Sequence, residues 1–519
     1  MLCAPDLPVW LRRQCRNAPV ETAFASCGLP AMKLLVYGRE MKSASVTTAR
    51  VVLPAFGSAR TCPEIPTELY RTRLTRTMER VRAEKLDALV VYADREHCAN
   101  LAYLTGFDPR FEEALLLLSS EGRCKLLVGN ECLGYLPDTQ ALGLEVELFQ
   151  ELSLMGQPRN TSRPLHEIFR DFGLGWAQRI GCVGWKYFDS HLLPGGPQAL
   201  EVPAYLADLL RELAGDPKRV VNAAGLFMDV RDGLRVFNEP AQIAQFEYAA
   251  GVTSEGVLSL LRHLRPGLAE CELEKYLDTR GLPLSCHRMI SFGDKARRGL
   301  SSPSSQPAKR GDPYTVGFGV QGALSCRAGM IATGPGDLTG ALREFYLPLA
   351  ANYFQVVATW YENVRVGASA GAVVRAVEKV RDHKLYHFAV NPGHYLHSDE
   401  WLHSPFSVGS RVRLQSGMAL QMDIIPVSLG PFCYINAEDG VVLGDARLRA
   451  HLAQGFPDLW KRVQARRAFM RDVLGMDLDN SVLPVSNTAG WLPPWALDLD
   501  TALVVNQAGR RRAKRPRQG

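Results

Sequence analysis

The chain has 519 residues, 46% of them hydrophobic and 22% charged, a globular composition with apolar material for two to four domains. Its net charge of +6 is small for this length, and much of it lies in the closing GRRRAKRPRQG, so no broad basic face for nucleic acid is expected. The twelve cysteines are scattered without a CxxC pair, no apolar run reaches the roughly 18 residues of a membrane span, and the N-terminus is a poor signal peptide. Together these predict reduced thiols, no membrane partner and a cytoplasmic protein.

Residues 1–62 mix Pro, Cys and Arg without a sustained period. We expect a poorly structured extension, with Met41 a plausible alternative start. From Pro63 the pattern sharpens. Leu69, Leu74, Met78 and Val81 recur at helical spacing, which predicts an amphipathic helix. LDALVVYA (86–93) reads as a buried strand, EEALLLLSS and CKLLVG as further apolar segments, 163–172 as a helix, RIGCVGW (179–185) as a strand and 202–215 as a helix. Alternating strands and helices predict an α/β layer domain over 63–225.

A second unit, 226–450, begins with a helix from Pro240 to about Leu264, where RPG stops it. CELEKYLDTRG reads as a shorter helix, and MISFG, YTVGFGV and ALSCRAGMIAT as strands. Long helices follow at 341–364 and in GASAGAVVRAVEKVRDH. Strands then return near MALQMDIIPV and CYINAEDGVVL, so this unit is predicted to be α+β. Residues 451–519 are read as a helix pair, a strand-poor Pro/Trp-rich tail and a solvated basic stub.

The chemistry concentrates in 391–440, which gathers His394, His397, His403, Asp423, Glu438 and Asp439. Two neighbouring strands can aim an Asp and a Glu into one pocket. A histidine with two carboxylates is a ligand set for a divalent ion with open positions for water. The residues alone leave a second reading open, in which Asp423 caps a turn and the histidines line a loop. GDKARRG (293–299) reads as a loop whose Arg297 and Arg298 could bind a substrate carboxylate. His97, His383 and His387 read as surface or packing residues, and His287 beside Cys286 as an isolated pair.

Several phrases, in order, resemble the creatinase, aminopeptidase P and prolidase family. LDALVVYADREHCANLAYLTGFDPRFEEALLLL and RIGCVGWKYF resemble its N-terminal domain. NEPAQIAQFEYAA, KRGDPYTVGFGV, PGHYL, SGMALQMDIIP and INAEDGVVL resemble its catalytic domain. The resemblance implies a C-terminal pita-bread domain behind a creatinase-type α/β domain, a homodimer, and hydrolysis of a C–N bond in a small molecule or short peptide.

The resemblance also implies two metal ions held by Asp, Asp, His, Glu and Glu. Carried over, the first Asp falls on Gly317 and the second, eleven residues on, on Ala328. The His falls on His394, the first Glu on Asp423 and the second on Glu438. Gly and Ala have no donor, so we expect at most one ion (Mn, Zn or Co), or none, held by His394, Asp423 and Glu438. His403, two residues later than the family's second histidine, is expected to act on the substrate, Glu438 to serve as a base if free of metal, and His397, Arg297 and Arg298 to bind substrate. Cys326 is a nearby thiol, and strand alternation alone does not give it reach. Creatinase, which works without metal, uses a histidine where this chain has Leu300. The alternative to a hydrolase is an inactive homologue that binds a small ligand or peptide, or acts as a regulator.

Overall fold

Six apolar residues in succession, ALVVYA, cannot form a half-exposed strand, and they lie at the centre of a sheet. The computed structural model describes residues 46–176, 179–188 and 193–506. In chain order its first part holds β1 (Val46–Arg50), α1 (Thr67–Ala83), β2 (Ala88–Ala93), α2 (Ala99–Thr105), β3 (Ala114–Ser119) and β4 (Cys124–Val128). It continues with α3 (Thr139–Leu142), β5 (Glu145–Leu148), α4 (Leu165–Phe172), β6 (Ile180–Val183), α5 (Ala204–Ala214), β7 (Val220–Asn222) and α6 (Gly225–Met228). The six strands β2–β7 form one sheet in the order β5-β4-β3-β2-β6-β7. β2 pairs antiparallel with β3 and parallel with β6, so this is the mixed α/β layer that the alternation predicts.

The second part starts with α7 (Pro240–His263), whose proline occupies the first turn, where a missing N–H costs nothing. There follow α8 (Glu270–Leu273), β8 (Met289–Phe292), β9 (Pro313–Val320), β10 (Ala323–Met330), α9 (Gly340–Asn363), α10 (Ala370–Val380) and β11 (Tyr386–Phe388). β12 (His394–Tyr395), β13 (Ala419–Asp423), β14 (Pro426–Ser428), β15 (Asn436–Leu443), α11 (Ala446–Gly455), α12 (Pro457–Ala468), β16 (Val482–Pro484) and β17 (Thr501–Val505) complete it. One antiparallel sheet runs β12-β13-β15-β10-β9-β8, with β16 on β15. α7 packs on β9 and β10, and α9 packs on β13. This is the α+β unit expected, although CELEKYLDTRG contributes only one helical turn, α8, and a 3-10 turn, and GDKARRG closes into a 3-10 helix, Gly293–Arg298, rather than an open loop.

Both ends differ from the expectation. The region 1–62 is not wholly loose: β1 pairs in register with β17, from Val46↔Val505 to Arg50↔Thr501. The C-terminal stretch is not strand-poor either, since it supplies β16 and β17 and buries Trp491 and Trp495. Each partner lies about a chain length away, so no local pattern in 1–62 announced the pairing. Met41 and the basic stub 510–519 lie outside the described residues. Among the described residues no helix is long and apolar enough to cross a membrane.

Candidate metal centre

The register of the large sheet lines up five residues in one row. Asp423 on β13 pairs with Glu438 on β15, and Glu438 pairs with Cys326 on β10. Cys326 pairs with Gly317 on β9, and Gly317 pairs with Met289 on β8. Residues directly opposite in antiparallel strands project from the same face. The row therefore presents two carboxylates, a thiol, a bare glycine and a thioether in sequence.

His394 enters from β12, where it pairs with Gln421. Gly393 makes the entry possible: its φ is +109°, and a Cβ there would stand 2.7 Å from the Gln421 carbonyl oxygen. The chain then loops and returns through a bridge between Tyr395 and His403. That loop folds Trp401 over the imidazole, stacked at 4.1 Å, and brings Glu400 to the same ring. His394 Nε2 lies 3.5 Å from Glu438 Oε1, 3.7 Å from Glu400 Oε1 and 3.9 Å from Asp423 Oδ2. One ligand atom from each of His394, Glu400 and Glu438 lies within 4.8 Å of the others.

The tautomer follows from the hydrogen bonds. His394 Nδ1 is 3.1 Å from the Tyr395 carbonyl oxygen, which can only accept, so Nδ1 carries the proton and Nε2 turns a lone pair inward. Nε2 is fully buried and has no hydrogen-bond partner, and neither has Asp423 Oδ1. Gln421 Nε2 donates to Glu438 Oε1 at 3.2 Å and to the Leu324 carbonyl at 2.8 Å. Burial, with the negative charge of its neighbours, pushes Glu400 up to about 7 against the pull of His394. Burial likewise pushes Glu438 up to about 7, against hydrogen bonds from Cys326 and Gln421 that favour its charged form. Burial and the Glu438 charge hold Asp423 well above the ordinary carboxylate range. Acids that resist ionisation around an orphaned imidazole lone pair have the donor chemistry of a divalent-ion site.

Residues 73–194 match the Creatinase/Prolidase N-terminal domain. The chain carries that domain and the pita-bread fold. A search of curated protein sequences finds no match. Among solved structures, the chain is similar to the prolidase of Pyrococcus horikoshii OT3 at 15% identity and a TM-score of 0.54, over 72% of this chain and 95% of that one. It is similar to dipeptidase PepE of Mycobacterium ulcerans at 18% identity and 0.54, over 73% and 95%. The X-Pro aminopeptidase of Thermotoga maritima MSB8 aligns at 13% identity and 0.53, over 72% and 95%.

At the two positions where the resemblance implies aspartates, the sheet holds Gly317 and Ala328. A Cβ on Gly317 would meet the Met289 Cε methyl at 2.7 Å and Cys326 Sγ at 3.0 Å. Ala328 lies in the next row of the same face, between Asn436 and Thr315. Neither position offers a donor.

The remaining residues singled out by sequence divide. His394, Asp423 and Glu438 come together. Glu400 was missed; its one signal was a carboxylate six residues after His394, in a loop where no periodicity fixes which way a side chain points. His403 faces the N-terminal domain: its Nε2 is 2.8 Å from Tyr187 Oη, and both line a cavity of about 430 Å³ with Asp229 and Arg231. His397 corrects the expectation of a substrate contact. It is 1% exposed, edge-on to Tyr103 and Phe246, and burial with Arg235 and Arg73 drives its pKa well below the ordinary value. It is a packing residue, with Nδ1 accepting from the Ser398 N–H at 2.7 Å. Arg235 also bonds Asp399, next to Glu400, and reaches Asn100 of the N-terminal domain. Arg297 and Arg298 are exposed. Arg297 stacks on Phe432 at 3.7 Å and pairs with Asp294 at 3.3 Å.

Proposed function

We propose that the chain is a hydrolase of the aminopeptidase P and prolidase type, which cleaves a C–N bond such as that of an Xaa-Pro peptide with a single divalent ion. The observation that carries this is the buried His394 Nε2, which has no hydrogen-bond partner and lies 3.5, 3.7 and 3.9 Å from carboxyl oxygens of Glu438, Glu400 and Asp423. A cation between these groups would favour the charged form of each acid and meet the imidazole lone pair. His394, Asp423 and Glu438 would hold the ion, with Glu400 beside it. A divalent ion bound there supplies Lewis acidity toward a carbonyl and a lowered pKa for water.

The protein's own groups do the rest. Trp401 and the Tyr395 carbonyl fix the imidazole plane and tautomer. Glu400, the member of the set with the most exposed side chain, at 29%, is placed to take a proton from water and return it to the leaving amine. His403, with Tyr187, orients the substrate where the two domains meet. A homodimer in the cytoplasm completes the reading; light scattering at the chain mass of 57.3 kDa would count against the dimer.

The space over Gly317, filled by the Met289 methyl and the Cys326 thiol, favours a second reading, a homologue that binds peptide without cutting it. Incubating the full chain with Xaa-Pro dipeptides separates the two. Release of proline, abolished in His394→Ala, supports the hydrolase. Saturable binding of an intact dipeptide supports the silent protein.

A further inference from the structure

The row Asp423, Glu438, Cys326, Gly317, Met289 holds a ligand type that the expected ion set does not include. Cys326 stands between Glu438 and the bare Gly317, directly opposite each. Its thiol and the Glu438 carboxyl share a hydrogen bond. Its Sγ lies 3.0 Å from where a Gly317 Cβ would begin, and the Met289 methyl 2.7 Å, so the thiol fills space that a side chain at 317 would otherwise take. At Gly319, two residues along the strand, Ser285 Oγ and Cys286 Sγ lie 2.5 and 2.9 Å from where a Cβ would begin. The unpartnered His394 Nε2 is buried and aimed at Glu438, the neighbour of this thiol.

We propose that Cys326 is a ligand of the single ion, making this a thiolate-bearing site that selects zinc over manganese. The proposal rests on the single-ion reading above. Two arguments support it. A site that has lost two aspartates has lost two negative charges, and a thiolate restores one beside Glu438. A thiolate is also a soft donor, which favours zinc and cobalt, whereas manganese prefers sites built from oxygen. Imidazole, carboxylate and thiolate are all donors that zinc accepts.

The test strips the full-length protein with chelator and adds one equivalent of Co²⁺. The expected result is a strong near-ultraviolet sulfur-to-cobalt charge-transfer band. Zn²⁺ should abolish it, and the same excess of Mn²⁺ should not. Cys326→Ser should remove the band and weaken cobalt binding about tenfold or more, while Cys271→Ser, at an exposed thiol, should keep both. The unaltered protein decides the matter even if the variant folds poorly. Cobalt bound one to one without the band overturns the thiolate and leaves the single-ion reading standing. A band that survives in Cys326→Ser also overturns it. No cobalt binding at all removes both.

Discussion

Arg327 and Asp439 form a fully buried ion pair behind the candidate centre, and replacing Arg327 with Met is expected to destabilise the protein severely. The guanidinium bonds Asp439 Oδ2 at 2.8 Å, the Thr488 carbonyl at 2.5 Å and the Trp491 carbonyl at 3.0 Å. It also bonds the Cys326 and Glu438 carbonyls at 2.6 and 3.3 Å. One side chain thus ties β10 and β15, which carry Cys326 and Glu438, to the C-terminal segment. Removing it leaves Asp439 charged at 0% exposure, with only Ser486 and Thr488 as donors. An unpaired buried charge of this kind costs about 3–5 kcal/mol, against a total stability of roughly 5–15 kcal/mol. Arg327→Met with Asp439→Leu removes the orphaned charge and should recover much of the loss. Guanidinium unfolding of the variants, followed by tryptophan fluorescence and circular dichroism together, measures this. A single variant within about 1 kcal/mol of the unaltered protein would refute the argument, because the net worth of an ordinary hydrogen bond would then suffice.

Two further outcomes are expected. Gly317→Asp must displace the Met289 methyl and the Cys326 thiol, so it should cost the ion-free protein about 1–3 kcal/mol in denaturant unfolding; a neutral or stabilising effect would mean that the space over Gly317 is not filled. Glu400 titrates near 7 in the folded protein and near 4.5 in the unfolded chain, so the folded state holds the extra proton between those values. Its contribution is full below 4.5 and lost as pH rises through 7. Unfolding midpoints of chelated protein and of Glu400→Gln should therefore diverge across this window, the unaltered protein losing stability relative to the variant. Parallel profiles would contradict the placement of Glu400.

Legibility in the sequence followed locality. Pro240 at a first turn, ALVVYA and the 3.6 period around Leu74 each act through neighbours in the chain, and those elements were read at their observed places. The row of β13, β15 and β10 could be anticipated only through the resemblance, because register is a property of strand pairs. His397 and Glu400 lie in one loop, six or fewer residues from His394, and sequence could not say that the first turns into the Tyr103–Phe246 wall and the second into the centre. The β1–β17 pair joins residues about 450 positions apart, beyond any window of pattern. Cys326 had a visible thiol, but only the pairing with Gly317 showed what it stands beside.

The most direct test of the account is the number of ions the centre holds. Full-length protein, chelated, reloaded with Zn²⁺ or Mn²⁺ and freed of excess, would be measured by elemental analysis beside His394→Ala. The account predicts one ion per chain, lost in the variant. Two retained ions per chain, or one that persists without the imidazole, would contradict it.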